Sequence, residues 1–360
     1  MRIGILGAGQ LARMLTLAAC PLGISTLCLD PKGGTSASEV TDVITAAFTD
    51  EKQLQNFAEQ VDLITYETEN IPLQTAQFLS QNRSVFPSSQ ALAVAQDRLQ
   101  EKTLFRELNI PTTRFMAIDS LQDLRQGAET LGFPCILKTR FFGYDGKGQQ
   151  ILRESQDVAA AWQALGSHPL LLEEFVPFTQ EVSLISVRSQ QDLCFYALTQ
   201  NEHQAGILRV STAPYQHEQL QQLAETYAKQ LLEHLDYCGV LAIEFFCRDE
   251  QLIANEMAPR VHNSGHWTIE GASTSQFENH LRAITGLPLG STQARGYNAM
   301  FNCIGSEPDI KKILTIPDVH YHHYAKTPAP GRKLAHFTLS TLELPLYEQR
   351  LAALKALLQE

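Results

Sequence analysis

The sequence predicts a protein of about two or three domains in which a parallel α/β unit is followed by α+β units. Its 360 residues, of which 44% are apolar, are enough to bury several hydrophobic cores. Up to residue 87, strand-like and helical stretches alternate, which is typical of a parallel sheet covered by helices. From residue 112 onward, short strand-like stretches follow one another with few helices between them, which favours antiparallel sheets.

The N-terminal unit opens with RIGILGAGQLARML. A strand at 2–6 leads into the glycine turn 7–9 and a helix from Gln10, a second strand ends at Asp30, and a third covers 61–67. A strand, a glycine turn, a helix and an acidic residue about twenty positions on form the dinucleotide-binding fingerprint, in which the acidic residue binds a ribose hydroxyl. Taken alone, this fingerprint favours an NAD-dependent dehydrogenase.

The other elements follow in chain order. The stretch VFPSS at 85–89 predicts a boundary, and Ser88 or Ser89 begins a long helix that runs to about Asn109. Strands are predicted at 114–118, 133–140, 148–153, 169–176, 181–188, 193–200 and 206–213, in a hairpin at 240–258, and in the tail at 298–305, 319–325 and 333–340. Helices are predicted near 155–166, 216–235, 274–285 and 346–358.

Composition excludes several function classes. The formal net charge is -11, and no run of Lys or Arg stands out, which disfavours nucleic acid or an anionic membrane as a partner. None of the seven cysteines forms a CxxC pair, so we expect buried thiols in a reducing compartment. No stretch approaches the length of a membrane span, and polar residues interrupt the N-terminus where a signal peptide would be apolar. We therefore expect a cytoplasmic enzyme or binding protein.

A second glycine-rich segment, KTRFFGYDGKGQQ, lies between two predicted strands. Gly143, Gly146 and Gly148 are not followed by the Gly-Lys-Ser/Thr ending of a Walker loop. The segment is instead typical of a flexible flap whose backbone N–H groups cover a polyphosphate, with Lys138 as a fixed charge beside it. The alternative is a glycine-rich hairpin with a solvated lysine.

The predicted hairpin at 240–258 carries one carboxylate in each apolar strand, Glu244 and Glu256. A two-residue loop places Asn255 opposite Glu244, whereas a longer loop or a bulge places Glu256 there. Facing buried carboxylates are costly without a cation between them, and oxygen ligands suit Mg²⁺. The alternative is that both glutamates face water, but the second strand leads into a dense polar run at 260–266.

Three other segments are candidate binding sites. The strand end at 173–176 offers backbone groups for an adenine edge, and Glu181 can take ribose hydroxyls. His320 and His322 share a strand face, but no further ligand at suitable spacing supports a zinc site. The cations Lys326, Arg332 and Lys333 flank a Pro-Gly turn, which favours a phosphate or carboxylate partner.

Lys138, the GYDGKGQ segment, the Glu244/Glu256 hairpin and NEMAPRVHNSGHW together resemble the ATP-grasp superfamily. Within it, the sequence is similar to the 5-(carboxyamino)imidazole ribonucleotide synthase family of purine biosynthesis. The similarity extends through GAGQLARM, TYETENIP, DRLQEK, NEHQAGILR and PGRK. It implies an ATP-grasp fold with a Rossmann-like pre-ATP-grasp domain at 1–98, an ATP-grasp domain at 99–286 with a lid subdomain at 112–185, and a small β-rich C-terminal domain at 287–360.

The resemblance implies an ATP-dependent ligase that forms a carbon–nitrogen bond. ATP phosphorylates bicarbonate to carboxyphosphate, and the exocyclic amine of 5-aminoimidazole ribonucleotide is then carboxylated to N5-carboxyaminoimidazole ribonucleotide, with ADP and phosphate as the other products. The implied cofactors are ATP and Mg²⁺ (or Mn²⁺), the metal being held by Glu244 and Glu256, and the implied assembly is a homodimer. The flap must close, because carboxyphosphate hydrolyses when water enters.

Matched position by position, the resemblance assigns residues to three sets. The nucleotide site takes Arg98, Lys138, Gly143, Tyr144, Asp145, Gly146, Lys147, Gly148, Gln149, Glu173, Glu174, Phe175, Val176, Glu181, His203, Asn255 and Glu256. The catalytic centre takes Lys138, Tyr144, Asp145, Arg260 and His262. The ribonucleotide site takes Gly9, Gln10, Leu11, Glu67, Asn70, Asn263, Ser264, Lys326, Arg332 and Lys333.

Two of these assignments are more specific. Arg260 is the expected oxyanion-stabilising cation, and His262 either orients the amine or moves a proton. In this family the first domain binds no dinucleotide, so the glycine turn is expected to cradle the ribonucleotide phosphate at the helix N-terminus. Asp30 then serves only as a turn residue at the end of a strand.

The sequence departs from the family pattern at two positions. Ala205 and Ala325 stand where an aspartate is expected, beside His203 and Lys326. The alternatives to a carboxylating synthase are a formate-dependent glycinamide ribonucleotide transformylase of the same architecture, the dehydrogenase, and a non-catalytic nucleotide sensor. A dehydrogenase would have no use for the two hairpin carboxylates, Glu244 and Glu256, or for the second glycine-rich segment.

Overall fold

The computed structural model describes residues 1–143 and 147–358, and in this part of the chain the strands form three sheets. The N-terminal sheet is parallel, with strand order β3-β2-β1-β4-β5, as the alternating pattern predicts. Its strands are β1 (Arg2–Leu6), β2 (Ser25–Asp30), β3 (Asp42–Thr45), β4 (Leu63–Tyr66) and β5 (Ser84–Val85). Its helices are α1 (Gln10–Ala19), α2 (Glu51–Glu59) and α3 (Leu73–Ser80).

The predicted long helix from Ser88 or Ser89 to Asn109 is wrong, because the structure has two helices there. Helix α4 (Ser89–Gln96) begins after Ser88, whose side chain accepts a hydrogen bond from the Ala91 N–H. Helix α5 (Arg98–Glu107) begins after Asp97, which has an extended backbone and caps the new helix. The buried Asp97 carboxylate is also paired with the Arg140 guanidinium, so the cap of α5 is linked to the segment that follows β7.

The second sheet is antiparallel, with strand order β6-β9-β7-β8. Its strands are β6 (Phe115–Ile118), β7 (Cys135–Thr139), β8 (Gln149–Leu152) and β9 (Leu170–Glu174), and helices α6 (Leu121–Leu131) and α7 (Asp157–Leu165) pack on it. The predicted lid range 112–185 contains this sheet but also enters β10 (Gln180–Arg188), which belongs to the third sheet. The lid sheet therefore ends at Glu174.

The third sheet is the largest, with strand order β15-β14-β10-β12-β13-β16-β18-β17 and β11 paired to β10. Its remaining strands are β11 (Leu193–Phe195), β12 (Thr199–Gln204), β13 (Ile207–Ala213), β14 (Gly239–Arg248), β15 (Gln251–Ala258), β16 (Tyr297–Ile304), β17 (Val319–His323) and β18 (Lys333–Thr341). The accompanying helices are α8 (Glu218–His234), α9 (Thr268–Gly271), α10 (Gln276–Thr285), α11 (Ile310–Ile313) and α12 (Leu344–Leu357). The strands of the predicted C-terminal range thus continue this sheet through the β13–β16 pair.

The glycine turn after β1 is filled by a carboxylate of the protein itself. The N–H groups of Gly9 and Ala12 donate to the two oxygens of Glu67, at 2.5 and 3.0 Å, and the Ala8 N–H donates to Asp30 at 3.0 Å. A Cβ atom on Gly7, which has a φ of +95°, would lie 2.6 Å from the Glu67 Cγ. The glycines are thus required by the close approach of Glu67, whose charge suits the positive end of α1.

Within the described ranges 1–143 and 147–358, we find no helix whose length and apolar character would let it cross a membrane.

We expect Gly7→Ala to lower the free energy of unfolding by at least about 2 kcal/mol, because the new methyl group meets both an unfavourable φ and the buried Glu67 side chain. Gly33→Ala is the matched control, since its Cβ would lie at an ordinary 3.5 Å from the Thr45 hydroxyl. Calorimetric melting of both variants tests this. Equal melting temperatures for the two proteins would contradict the packing argument.

Candidate active site

A cavity of about 530 Å³ lies where the three sheets meet, and each sheet contributes side chains to its wall. Gln10 comes from the N-terminal sheet domain, Lys138 from the lid sheet, and Glu244 and Lys333 from the large sheet. The wall is rich in both carboxylates and cations. Such a wall suits a ligand that carries several negative charges together with metal ions.

The hairpin places its two carboxylates opposite each other. The turn is tight, with Arg248 paired to Gln251, but a bulge after Glu244 makes Glu256 its direct partner and leaves Asn255 as the extra residue. Of the registers that the sequence left open, the structure therefore has the bulged one. Burial, and then the neighbouring charge of Glu256, raise the pKa of Glu244 to about 7.

The donor set at this hairpin fits a hard divalent cation. Two facing carboxylates supply only oxygen atoms, and a cation between them would remove the repulsion that raises the Glu244 pKa. Among the described residues there is no group of three or more His, Cys, Asp or Glu side chains placed to hold a metal. Mg²⁺ is commonly bound by one or two carboxylates, with substrate phosphates and water completing its coordination shell.

The Arg98 side chain lies between the hairpin and the lid. The Arg98 guanidinium donates to the Gly143 carbonyl at 3.0 Å and lies 3.6 Å from the Glu256 carboxylate. This contact ties the start of α5 to the glycine-rich segment, from which Lys147 and Gln149 also line the cavity. The predicted Tyr144, Asp145 and Gly146 lie outside the described residues.

Lys138 is held by a buried carboxylate. Its Nζ lies 3.1 Å from the Glu173 carboxylate, which also forms an ion pair with the Lys102 ammonium at 3.5 Å. Burial alone would raise the pKa of Glu173, but the two lysines outweigh it and lower that pKa to about 2. Burial lowers the pKa of Lys102 even though Glu173 opposes this shift, and the nearby charge of Lys138 lowers it further. Glu173 therefore fixes the position of Lys138 at the cavity wall.

On the large sheet, Glu181 and His203 form a pair, with 2.8 Å between the Glu181 carboxylate and His203 Nδ1. Burial would lower the pKa of His203, but its hydrogen bond to the Glu181 carboxylate and the nearby charge of Glu244 raise it. Both side chains line the cavity. The pair offers hydrogen-bonding groups to a sugar hydroxyl, which is the contact expected for Glu181.

Arg260 is paired rather than solitary. Its guanidinium donates to both oxygens of Glu69, at 2.5 and 2.9 Å. Burial would raise the pKa of Glu69, but Arg260 outweighs it, so this carboxylate stays ionised and its pKa is lowered. The bidentate pair fixes the plane of the guanidinium at the cavity wall.

His262 lies against the β14–β15 hairpin, with Nε2 3.4 Å from Glu244 and Nδ1 2.9 Å from the Ser264 hydroxyl. Burial, followed by the charges of Arg260 and Lys333, lowers the pKa of His262 well below its usual range. Its surroundings therefore favour the uncharged form of the imidazole.

The three predicted C-terminal cations have different surroundings. Lys333 lines the cavity. Lys326 contacts the side-chain oxygen of Gln10, and burial lowers its pKa to about 8. Arg332 is exposed and donates to the Thr327 carbonyl at 3.0 Å. Lys326 therefore reaches the cavity wall through Gln10, whereas Arg332 is not among the described residues that line the cavity.

Family models match three consecutive parts of the chain. Residues 1–96 match the ribonucleotide synthetase preATP-grasp domain, residues 103–277 the ATP-grasp domain, and residues 298–349 the phosphoribosylaminoimidazole carboxylase C-terminal domain. An N5-carboxyaminoimidazole ribonucleotide synthase of Pseudomonas aeruginosa is 49% identical over 360 residues, covering 100% of both chains.

The chain belongs to the N5-carboxyaminoimidazole ribonucleotide synthase family. The synthetase of Thermus thermophilus superposes with a TM-score of 0.95 at 50% identity, over 99% of both chains. A synthase from Aspergillus clavatus, solved with ADP and 5-aminoimidazole ribonucleotide, superposes with a TM-score of 0.92 at 28% identity, over 100% of this chain and 99% of that one. The predicted fold, family and ATP-dependent ligase class are confirmed.

The structure brings most of the predicted residues of this synthase together at one cavity. Its wall includes Gln10, Leu11, Glu67, Asn70, Arg98, Lys138, Gly143, Lys147, Gln149, Glu181, His203, Glu244, Asn255, Glu256, Arg260, His262, Asn263 and Lys333. Ser264 is instead fully buried behind His262, and Val176 is buried in the protein. The carboxylate of Glu67 accepts hydrogen bonds from the backbone of the glycine turn at the α1 N-terminus, where a substrate phosphate is expected.

Three charged residues of the site were not predicted from the sequence. Glu69, Lys102 and Glu101 lie in the segments TYETENIP and DRLQEK, whose other residues were singled out. Glu101 accepts a 2.6 Å hydrogen bond from the Met257 N–H, and burial followed by the charge of Glu256 raises its pKa to about 8. These side chains contact other groups of the protein and form no recognisable sequence motif. The only sequence signal for them is a charged residue type at a helical or loop position.

The two departures from the family pattern share one backbone feature. Ala205 and Ala325 both have a φ of 52°, in the left-handed region. Asp and Asn adopt this region more readily than alanine. The aspartate expected at each position is thus accounted for by turn conformation, and neither position needs a ligand role.

We expect Glu173→Gln to destabilise the protein by about 3–5 kcal/mol, because it leaves the buried Lys102 and Lys138 without a counter-charge. Glu174→Gln, one residue along β9, is the matched control. Its partner Arg114 is exposed, and losing that pair costs less than about 1 kcal/mol. Thermal unfolding of both variants, followed by circular dichroism, measures the difference. A Glu173→Gln protein as stable as Glu174→Gln would show that the lysines are not held as described.

Proposed function

We propose that the cavity performs the family reaction with the residues described above in defined roles. The reaction carboxylates the exocyclic amine of 5-aminoimidazole ribonucleotide at the expense of ATP and bicarbonate. Carboxyphosphate is the intermediate, and N5-carboxyaminoimidazole ribonucleotide, ADP and phosphate are the products. The observation that carries this assignment is the facing pair Glu244 and Glu256 beside Lys138 and Arg260, in a chain whose relatives are synthases.

The phosphate end of ATP is proposed to lie between the hairpin and the lid. Glu244 and Glu256 would hold Mg²⁺ or Mn²⁺, which supplies charge neutralisation to the phosphates when bound. Lys138 and Arg98 add two positive charges on the lid side, and both are held by protein contacts before ATP arrives. Preorganised charges stabilise a transferring phosphoryl group without reorganisation.

The nucleoside end of ATP is proposed to lie against the strand end 173–176 and the Glu181–His203 pair. The observation that supports this placement is the Glu181 carboxylate, which lines the cavity and can accept hydrogen bonds from ribose hydroxyls. The glycine-rich segment from Gly143 to Gly148 would cover the phosphates and exclude water, which carboxyphosphate requires. Tyr144, Asp145 and Gly146 are part of this proposal on resemblance alone.

The ribonucleotide is proposed to lie on the side of the cavity where Arg260, Asn263 and Lys333 meet Gln10. Arg260 is aimed by Glu69 and would stabilise negative charge on the carboxyl oxygens. The cations Lys326, Arg332 and Lys333 would attract the substrate phosphate. Gly9, Leu11 and Asn70 border the same region, whereas Glu67 is proposed to organise the turn and not to contact the phosphate.

A homodimer in the cytoplasm is also proposed, and family resemblance is its support.

We expect ADP release in the presence of Mg²⁺, ATP and bicarbonate to be strongly stimulated by 5-aminoimidazole ribonucleotide, because phosphoryl transfer needs the closed, fully occupied cavity. A coupled ADP assay with and without bicarbonate measures this. Turnover with formate and glycinamide ribonucleotide instead would assign the chain to the transformylase reaction. No ADP under either condition would leave the fold correct and the proposed activity wrong.

We expect Glu256→Gln to keep its fold and to lose at least about 100-fold in ADP release, since one charged ligand of the proposed metal is removed. Glu250→Gln, in the turn of the same hairpin, is the control and should keep normal turnover because its side chain is exposed. Steady-state rates, with circular dichroism to check folding, compare the two. A Glu256→Gln enzyme with most of its activity would remove this residue from the metal site.

A further inference from the structure

A row of buried polar side chains crosses the large sheet beneath the cavity and ends on His262. The Ser211 hydroxyl donates to Asn201 Oδ1 at 2.8 Å, and Asn201 Nδ2 donates to the Ser183 hydroxyl at 2.9 Å. Ser183 in turn donates to the Ser264 hydroxyl at 2.7 Å, and this oxygen lies 2.9 Å from His262 Nδ1. The three serines are fully buried and Asn201 is 5% exposed, so water does not compete for these groups.

Strand pairing explains why these residues meet. Asn201 on β12 is the direct partner of both Ser211 on β13 and Glu181 on β10. Ser183, two residues after Glu181, is the direct partner of Glu244 on β14. Directly paired residues share a face of the sheet, so the row and the metal-site carboxylates lie on one face.

The side-chain amide of Asn201 sets the direction of the hydrogen bonds. Its Nδ2 can only donate, so the Ser183 hydroxyl accepts from it, and Ser183 donates its own proton to the Ser264 oxygen. The Ser264 hydroxyl lies 2.9 Å from His262 Nδ1 and has its proton available for that nitrogen. The backbone N–H of Ser264 supplies a second donor to the same Nδ1, at 3.3 Å, that does not depend on the serine row. Nδ1 is therefore an acceptor and carries no proton.

We infer that His262 is held as a neutral imidazole with its proton on Nε2, and that Ser264, Ser183 and Asn201 are the positioning residues that hold this tautomer. Nε2 faces the cavity and lies 3.4 Å from Glu244. It therefore presents a hydrogen-bond donor to an anionic oxygen. The identity of that oxygen rests on the proposed function, in which it would belong to bicarbonate or carboxyphosphate.

This assignment decides between the two roles that the sequence left open for His262. A ring nitrogen that already carries a proton cannot take another from the amine, and the other nitrogen is turned away from the cavity toward Ser264. His262 thus binds and orients an oxygen, and the proton lost from the amine is taken up by another group.

The tautomer can be measured directly in the folded enzyme without ligands. Protein labelled with ¹⁵N-histidine is examined by two-bond ¹H–¹⁵N correlation spectra, and the signals of His262 are identified by their loss in His262→Asn. We expect Nδ1 to resonate as a bare, pyridine-type nitrogen and Nε2 as a protonated, pyrrole-type nitrogen. A protonated Nδ1 in the wild-type protein would overturn the inference outright.

Two serine variants test the row itself. Ser264→Ala removes the nearer of the two donors to Nδ1 and leaves only the backbone N–H at 3.3 Å, so both tautomers should be populated. We expect kcat to fall by about tenfold, as loss of a hydrogen bond to a site residue typically causes, with the KM for ATP unchanged. Ser211→Ala is the matched control, equally buried at the far end of the row, and should leave both the spectrum and kcat unchanged because Asn201 Nδ2 still donates to Ser183. Equal effects of the two substitutions would contradict a directed row.

Two further measurements keep the inference separable from folding and from the assigned reaction. If Ser264→Ala does not fold, Ser183→Ala takes its place and should give a mixed tautomer, since Ser264 then loses the donor that fixes its proton. The spectra need no substrate, so a chain that failed to carboxylate 5-aminoimidazole ribonucleotide could still show the Nε2–H tautomer. If the protein carboxylates the ribonucleotide normally but its spectra show a protonated Nδ1, only the assignment of His262 is refuted.

Discussion

The face-to-face placement of Glu244 and Glu256 is the constraint on which the rest of the site depends. Two facing carboxylates cannot both be ionised at low cost without a compensating charge, and the raised pKa of Glu244 reports that cost. The bulge after Glu244 creates the pair by moving Asn255 out of register. Arg98 lies beside Glu256 on the lid side, and the proposed divalent ion with its phosphates would supply the remaining positive charge between the carboxylates.

The other charges of the cavity are paired by groups of the protein before any ligand binds. Glu173 holds Lys138, Glu69 holds Arg260, and Glu67 is held by the backbone of the glycine turn. Buried ion pairs add little net stability, because desolvation offsets their attraction. Their value here is geometric, since a cation fixed in advance costs no reorganisation when charge develops on a transferring group. The carboxylates missed by sequence reasoning are of this kind.

Sequence reasoning succeeded where the signal was local. The strand–turn–helix opening, the hairpin and the helix at Glu218–His234 follow from periodicity and caps, and the family motifs carried most cavity residues. It carried no signal for contacts between residues far apart in the chain. Arg140, 43 residues from Asp97, pairs with the carboxylate that caps α5, and Glu67, 58 residues from Gly9, accepts hydrogen bonds from the glycine turn. A local pattern carries no record of such partners, and a bulge that shifts the hairpin by one residue leaves the pattern unchanged.

The neutral state of His262 follows from the same electrostatic problem. A protonated imidazole beside Glu244 would form an ion pair with this carboxylate, and so would compete with the divalent cation proposed there. Donors from Ser264 to Nδ1 prevent the second proton and direct the remaining one outward. The histidine can then contribute a hydrogen bond at the cavity wall without adding a charge. Serines and an asparagine, which carry no charge at any pH, can set this arrangement across three strands without disturbing the balance between the carboxylates and their cations.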